Sequence, residues 1–246
     1  MKITIKKNEQ IITNLEDWYK FSPPKREKKQ WRIGRSAMEM ARFALSNSFL
    51  TFISDLVGNE HISDIEYVCE PEATTSFKKM GKGGPRNHDL LMIGDTSIIG
   101  IEAKVSEFYD KKIGEKRKGA SENMKKRLDS CLQYLYGEKG NIPDNAEELY
   151  HQLFSATIGT IVEARKKNKT KAVALFLTFD GNVAKESDYC KKVKTNNDAF
   201  ESFCKSLGLS NNGGKLNDIP GLDNKQIECW IIRAKITIES NYTFKC

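Results

Sequence analysis

Asn87-His88-Asp89-Leu90-Leu91-Met92-Ile93-Gly94-Asp95-Thr96-Ser97-Ile98-Ile99-Gly100-Ile101-Glu102-Ala103-Lys104-Val105 is two apolar runs joined at Gly94-Asp95. That turn between apolar runs predicts a hairpin, with strands over 89–93 and 97–105. The second strand is apolar except for Glu102 and Lys104. Side chains alternate across a strand, so these two share a face, and Ile101, Ala103 and Val105 take the other. A bare charge in so apolar a strand is very costly, so the pair must be ion-paired, metal-bound or at an open edge. Asp89 begins the preceding strand and can lie beside them. Two carboxylates and one ammonium then converge on one spot.

Working outward, Met40, Phe43, Ala44, Leu50, Ile53 and Val57 recur at three-to-four spacing from Ser36, and Gly58 ends the run, which predicts a helix. Ile65 to Cys69 reads as a short strand, and Lys78 to Asn87 as a Gly- and Lys-rich loop. Downstream, residues 110–148 form a charged insertion with a helix near Glu122 to Tyr136. Leu149 to Lys166 is a second strong helix. Ala172 to Phe179 is nearly continuous apolar strand, as at a sheet centre covered on both faces. Asp198 to Leu207 reads as a short helix, and Cys229 to Glu239 as a closing strand. The order helix, three strands, helix, strand predicts an α/β or α+β fold, a mixed central sheet flanked by helices with peripheral additions. One domain is expected over residues 1–246: a core at about 36–179, an N-terminal hairpin and linker at 1–35, the basic insertion at 110–148 and a C-terminal addition at 180–246.

Composition narrows the function. Lys and Arg number 40 against 33 Asp and Glu, for a net charge of +7. The longest unbroken apolar stretch, Ala172 to Leu177, is far too short for a membrane span. No apolar segment follows the first charges, so no secretory signal is expected and the cytoplasm is the expected compartment. The six cysteines, at 69, 131, 190, 204, 229 and 246, include no Cys-x-x-Cys, and the three histidines include no His-x-x-x-His. A zinc site is therefore not expected, nor is a membrane or organic-cofactor partner.

The hairpin charges suit metal-assisted phosphodiester hydrolysis. Mg2+ is hard and takes one or two carboxylates plus water and phosphate oxygens. Asp89 and Glu102 supply the carboxylates, the Ala103 carbonyl is a further ligand, and Lys104 can act on the attacking water or on developing charge. Asp89, twelve residues, then Glu102-x-Lys104 resembles the PD-(D/E)XK nuclease superfamily. The resemblance covers roughly Ser36 to Phe179, although His88 stands where a proline often precedes the aspartate. It implies a restriction-endonuclease-like fold with Asp89, Glu102 and Lys104 as the catalytic trio. It also implies a metal-ligating acid on the first helix, here Glu39, and a glutamine on the second, here Gln152. The activity implied is a Mg2+-dependent deoxyribonuclease, an endonuclease on double-stranded DNA, with Mn2+ able to substitute. Restriction, phage defence or repair is the implied setting, and a homodimer would allow both strands to be cut.

Basic residues near the site are expected to meet phosphates. They are Arg35 ahead of the first helix, Lys79, Lys82, Arg86 and His88 on the Gly-rich loop, and Lys116, Arg117 and Lys118 in the insertion. Blander readings stand beside these. The trio could be a structural salt bridge. Ser36-x-x-Glu39 is also a capping box. Gln152 could bond within the core. The insertion could be a solvated loop, and Glu70 and Glu72 around Pro71 could be loop rather than near a metal. The rival function is a non-catalytic nucleic-acid-binding or partner-binding protein that keeps the fold.

Overall fold

The computed structural model describes residues 1–25, 27–61, 64–77, 84–105, 107–138, 141–180, 189–217, 219–221 and 227–237, the side chains of 27, 28, 57–61, 189 and 190 excepted. In chain order the elements are β1 (Lys2–Lys7), β2 (Gln10–Ile11), α1 (Leu15–Phe21), α2 (Glu27–Gln30), α3 (Ser36–Ala44), α4 (Ser48–His61), β3 (Glu66–Thr75), β4 (Arg86–Ile93) and β5 (Ser97–Lys104). They continue with α5 (Ile113–Arg117), α6 (Glu122–Tyr136), α7 (His151–Lys166), β6 (Lys171–Asp180), α8 (Tyr189–Ser206), β7 (Gly213–Leu216) and β8 (Glu228–Thr237). Among the described residues no helix is long and apolar enough to cross a membrane.

The strands form one mixed sheet of eight in the order β2-β1-β3-β4-β5-β6-β8-β7. β3, β4 and β5 are an antiparallel meander, while β5–β6, β6–β8 and β1–β3 are parallel. Helices cover both faces, so the α+β class expected from the element order is what the chain adopts. One apolar layer joins Met40, Phe43, Phe49 and Ile53 of α3 and α4 to Ile99, Ile101, Ala103 and Leu175 of the sheet. The other joins Leu153, Phe154 and Ile158 of α7 and Phe200 and Phe203 of α8 to Ile98, Ala174 and Phe176. Strand alternation sorts β5 between the layers as expected.

Helix α7 lies unusually close to the sheet because small residues meet there. A Cβ at Gly100 would fall 2.1 Å from Thr160 Oγ1, and one at Gly159 would fall 3.1 Å from Arg86 Cδ. Elsewhere the local patterns mislead. The helix expected from Ser36 to Val57 is two, because the Ser46 hydroxyl donates to the Phe43 carbonyl (2.7 Å) and α3 ends at Ala44. The first core strand does not stop at Cys69 but runs through Pro71 to Thr75. Arg86, Asn87 and His88 are not loop: they pair with Thr75, Thr74 and Ala73. β1 pairs with β3, and β8 pairs with β6 over ten residues, so the first and last described strands both join the one sheet.

Both β3 and β4 change faces midway. Cys69 faces the α3 layer, whereas Ala73, of the same parity, faces the α7 layer. Leu90 faces the α3 layer, whereas His88 lies against Gly159 of α7. Pro71 pairs with Leu90 and Ala73 with His88, so the switch falls at Glu72 and Asp89. Glu72 marks it with a left-handed φ of 45°.

Candidate active site

The β4–β5 ladder runs from Ile93–Ile98 to Leu90–Ile101. The next position in that register sets Asp89 opposite Glu102. There the backbone pairing is replaced by a side chain: Asp89 Oδ2 accepts from the Ala103 N–H at 2.7 Å. Asp89 therefore sits in the seam where the strands part. In a strand a residue's N–H and C=O leave on the same side, so the Ala103 carbonyl is also directed at the seam.

Glu102, 2% exposed, is the hub. Its Oε2 accepts from Arg86 Nη2 at 2.5 Å, and its Oε1 from Lys104 Nζ at 2.5 Å and from Gln152 Nε2. Gln152 is aimed from the first turn of α7, where its Oε1 accepts from the Asp110 N–H at 3.1 Å. Lys104 Nζ lies 5.8 Å from the centre of the Tyr109 ring, a cation–π contact. Burial alone would push the Glu102 carboxyl up, but Lys104 and Arg86 hold it below the usual carboxylate range. Burial pushes Asp89 well above that range; Glu102 and Glu72 add to the rise against Lys104. Burial lowers Lys104, yet Glu102 and Asp89 together raise it above the ordinary lysine value.

Glu72 is a carboxylate that sequence reading left open between an approach to the metal and a plain loop. It faces the same seam from β3, held by Asn87 Nδ2 at 3.4 Å, and burial raises its carboxyl with Glu102 adding to the effect. Its backbone kink is braced from the N-terminal hairpin. Lys7 Nζ donates to the Pro71 carbonyl at 2.6 Å and the Glu72 carbonyl at 2.9 Å, and Ser22 Oγ donates to the Pro71 carbonyl at 3.2 Å. The only hint in the sequence was Pro71 between two glutamates.

The donor set fits a hydrated hard cation and not a caged one. Among the described residues no three His, Cys, Asp or Glu side chains are arranged to hold a metal. An ionised carboxylate has about four acceptor positions. Glu102 uses three of these, and Asp89 engages one of its two oxygens. What is left is one position on Glu102, one oxygen of Asp89 and the Ala103 carbonyl. That matches Mg2+ or Mn2+, which keep several waters, better than four-coordinate Zn2+.

Other expected site residues fall elsewhere. Glu39 is fully buried, but its carboxylate accepts from the Gly34 N–H at 2.8 Å and pairs with Arg42 at 3.1 Å. The structure ties it to the turn before α3 and to Arg42, and among the described residues no hydrogen bond joins it to the trio. The capping box does not form either, since the Ser36 N–H goes to Glu107 Oε1 at 3.2 Å. Arg35 is half-buried at the N-terminus of α3 with no capping bond. Arg86 and His88, expected as exposed phosphate contacts, are buried in β4. His88 Nε2 lies 2.9 Å from Thr75 Oγ1, its Nδ1 has no partner among the described residues, and burial and then Arg86 hold its pKa well below the histidine value. Lys116 pairs with Asp110 at 2.5 Å. Arg117 pairs with Asp129 at 2.8 Å and Glu147 at 2.9 Å, while Lys118 is exposed. Lys79 and Lys82 lie outside the described residues. Arg86 was misplaced because Arg86-Asn87-His88 has no apolar residue to mark a strand.

A family model described as a domain of unknown function (DUF6946) matches residues 11–235. The chain belongs to that family. No curated protein and no solved structure matches it. The DUF6946 match takes in all the strands from β3 to β7 and every residue of the Asp89–Glu102–Lys104 cluster.

Proposed function

We propose that this chain is a metal-dependent nuclease that hydrolyses phosphodiester bonds of DNA, on a restriction-endonuclease-like core of the PD-(D/E)XK kind. The observation that carries the reading is the seam: Asp89 on the Ala103 N–H, with Glu102 and Lys104 beside it. A salt bridge needed only for folding does not require a second carboxylate inserted into a broken ladder. Mg2+ or Mn2+ bound between Asp89, Glu102 and the Ala103 carbonyl would supply an activated water and neutralise charge on the phosphate. The chain's own groups do the rest. Lys104, kept protonated by its two carboxylates, holds a positive charge where the phosphorane develops. Gln152 fixes the Glu102 carboxylate from α7, so that its free position stays turned to the seam. Exposed Lys118 and half-buried Arg35 remain as cations for the DNA backbone.

Restriction, phage defence or repair is the setting we propose, with duplex DNA as substrate and a homodimer as the form that cuts both strands. The test is cleavage of plasmid DNA, linear DNA and RNA with Mg2+, Mn2+ or EDTA, by the wild type and Glu102→Gln. Divalent-dependent cutting lost in Glu102→Gln supports the reading. One observation favours a second: Glu102 is already charge-matched by Arg86 and Lys104, as in a site kept for binding alone. Salt-dependent DNA binding without cleavage under any metal would make that second reading the right one.

A further inference from the structure

Arg86 lies outside the motif that defines the site, yet it holds half of the central carboxylate. Its Nη2 lies 2.5 Å from Glu102 Oε2, and the two side chains are 7% and 3% exposed. Its stem is pinned: a Cβ at Gly159 would come within 3.1 Å of Arg86 Cδ, so α7 leaves the side chain little room.

Two features argue against a merely structural role. Buried polar groups in a structural network are normally all bonded. Among the described residues Arg86 Nε is buried with no partner, so this guanidinium is not part of a completed network there. Glu102 also does not need Arg86 to be held in place, because Lys104 and Gln152 already fix Oε1. What Arg86 adds is a positive charge on Oε2, the oxygen whose remaining position a metal would use.

We infer that Arg86 is a built-in competitor for the cation at Glu102, and so sets the concentration of divalent ion that the site requires. The inference rests on the metal-site reading above and adds a regulatory residue to it. A divalent ion entering the seam shares Glu102 with a neighbouring unit charge in a poorly screened interior, and that repulsion weakens its binding. The protein would then stay idle at low divalent ion and load over a higher range than its carboxylates alone dictate.

The experiment titrates the full chain with Mn2+ alone, without nucleic acid, and follows free Mn2+ by electron paramagnetic resonance. Arg86→Met removes the charge but keeps a stem beneath Gly159. Arg86→Gln keeps a neutral donor for Glu102 and serves if the methionine variant does not fold, which circular dichroism reports. We expect wild-type binding that is lost in Glu102→Gln and tightened about tenfold or more in the neutral Arg86 variants. Wild-type binding that Arg86→Gln and Arg86→Met leave unchanged or weaken overturns the inference and leaves the metal site standing. No Mn2+ binding by the wild type or by either Arg86 variant overturns the metal site and the inference together.

Discussion

Glu102 and Lys104 are separated by one residue and by opposite chemical duties. Glu102→Gln keeps the size but removes the charge that would hold a cation, and Lys104→Ala removes the ammonium beside it. Both side chains face the seam, while Ile101, Ala103 and Val105 carry the packing on the other side of the strand. We expect each variant to fold and to lose cleavage by about 10²-fold or more, the scale of removing one preorganised charge from a transition state. DNA binding, measured by anisotropy, should persist in both. A different residue test uses His151, next to Gln152 on α7. Burial lowers its pKa from the ordinary 6.5 to about 3, with Lys116 adding to the effect. The unfolded chain takes up a proton below pH 6.5 that the folded one refuses until about pH 3. Its contribution is therefore complete above the unfolded value and falls as the solution is acidified. Subtracting the stability of His151→Gln from that of the wild type cancels His88 and the carboxylates other than Asp110, whose charge is coupled to His151. The difference should drop by about 1.4 kcal/mol per pH unit through that window. A flat difference in urea melts would mean that His151 titrates alike in both states.

At the scale of elements, α7 on the sheet is the contact that aims Gln152, and it tolerates no added bulk. At Gly100 an alanine Cβ would meet Thr160 Oγ1 at 2.1 Å and His88 Nδ1 at 3.0 Å. Gly100→Ala should cost about 1–3 kcal/mol, the usual penalty of overpacking, and Thr160→Ala should recover part of it in the double variant. Equal stability of Gly100→Ala and wild type in denaturant melts would refute the close packing. The insertion divides in the same manner between structure and function. Arg117 is spent on Asp129 and Glu147, so Arg117→Ala should leave the salt dependence of DNA binding unchanged. Lys118→Ala should reduce its slope by roughly one unit if Lys118 meets a phosphate. Reversal of those two results would assign the contact to Arg117. These elements differ in how well the sequence announced them. β5, β6 and α7 were legible because apolar periodicity is local, and Glu102 and Lys104 stood out as charges within it. The polar ends of β3 and β4 were not legible, since Thr74, Thr75, Arg86 and Asn87 become strand only by pairing with one another. Arg86 was read as a loop phosphate contact, and Glu72 was left between loop and metal, for the same reason: a change of sheet face at Glu72 and Asp89 is a property of two paired strands and not of either alone.

At the scale of the molecule, strand order is what the linear pattern hid most. β8 follows the sequence-derived core by almost fifty residues, yet it lies between β6 and the edge strand β7. Its parallel ladder with β6 runs from Lys171–Glu228 to Asp180–Thr237. Cys229 and Ile231 face the α7 layer, and Trp230 and Ile236 the α3 layer, all four buried. One strand thus helps to close both apolar layers. Burying such side chains stabilises a fold by roughly 1.5–3 kcal/mol each. Losing three or four of them approaches the whole net stability of a typical domain, about 5–15 kcal/mol. A chain ending at residue 226 keeps Asp89, Glu102, Lys104, Gln152 and both core helices, and reading by motif alone would expect it to work. The sheet says otherwise: β7 would lose its partner and β6 would become an open edge that is apolar on both faces. We expect that truncation to show no cooperative thermal transition by circular dichroism and no cleavage, and to aggregate through the exposed β6 edge. A cooperative melt within a few degrees of the full chain would show that β8 is an accessory after all, and that the site is supported by the strands from β1 to β6.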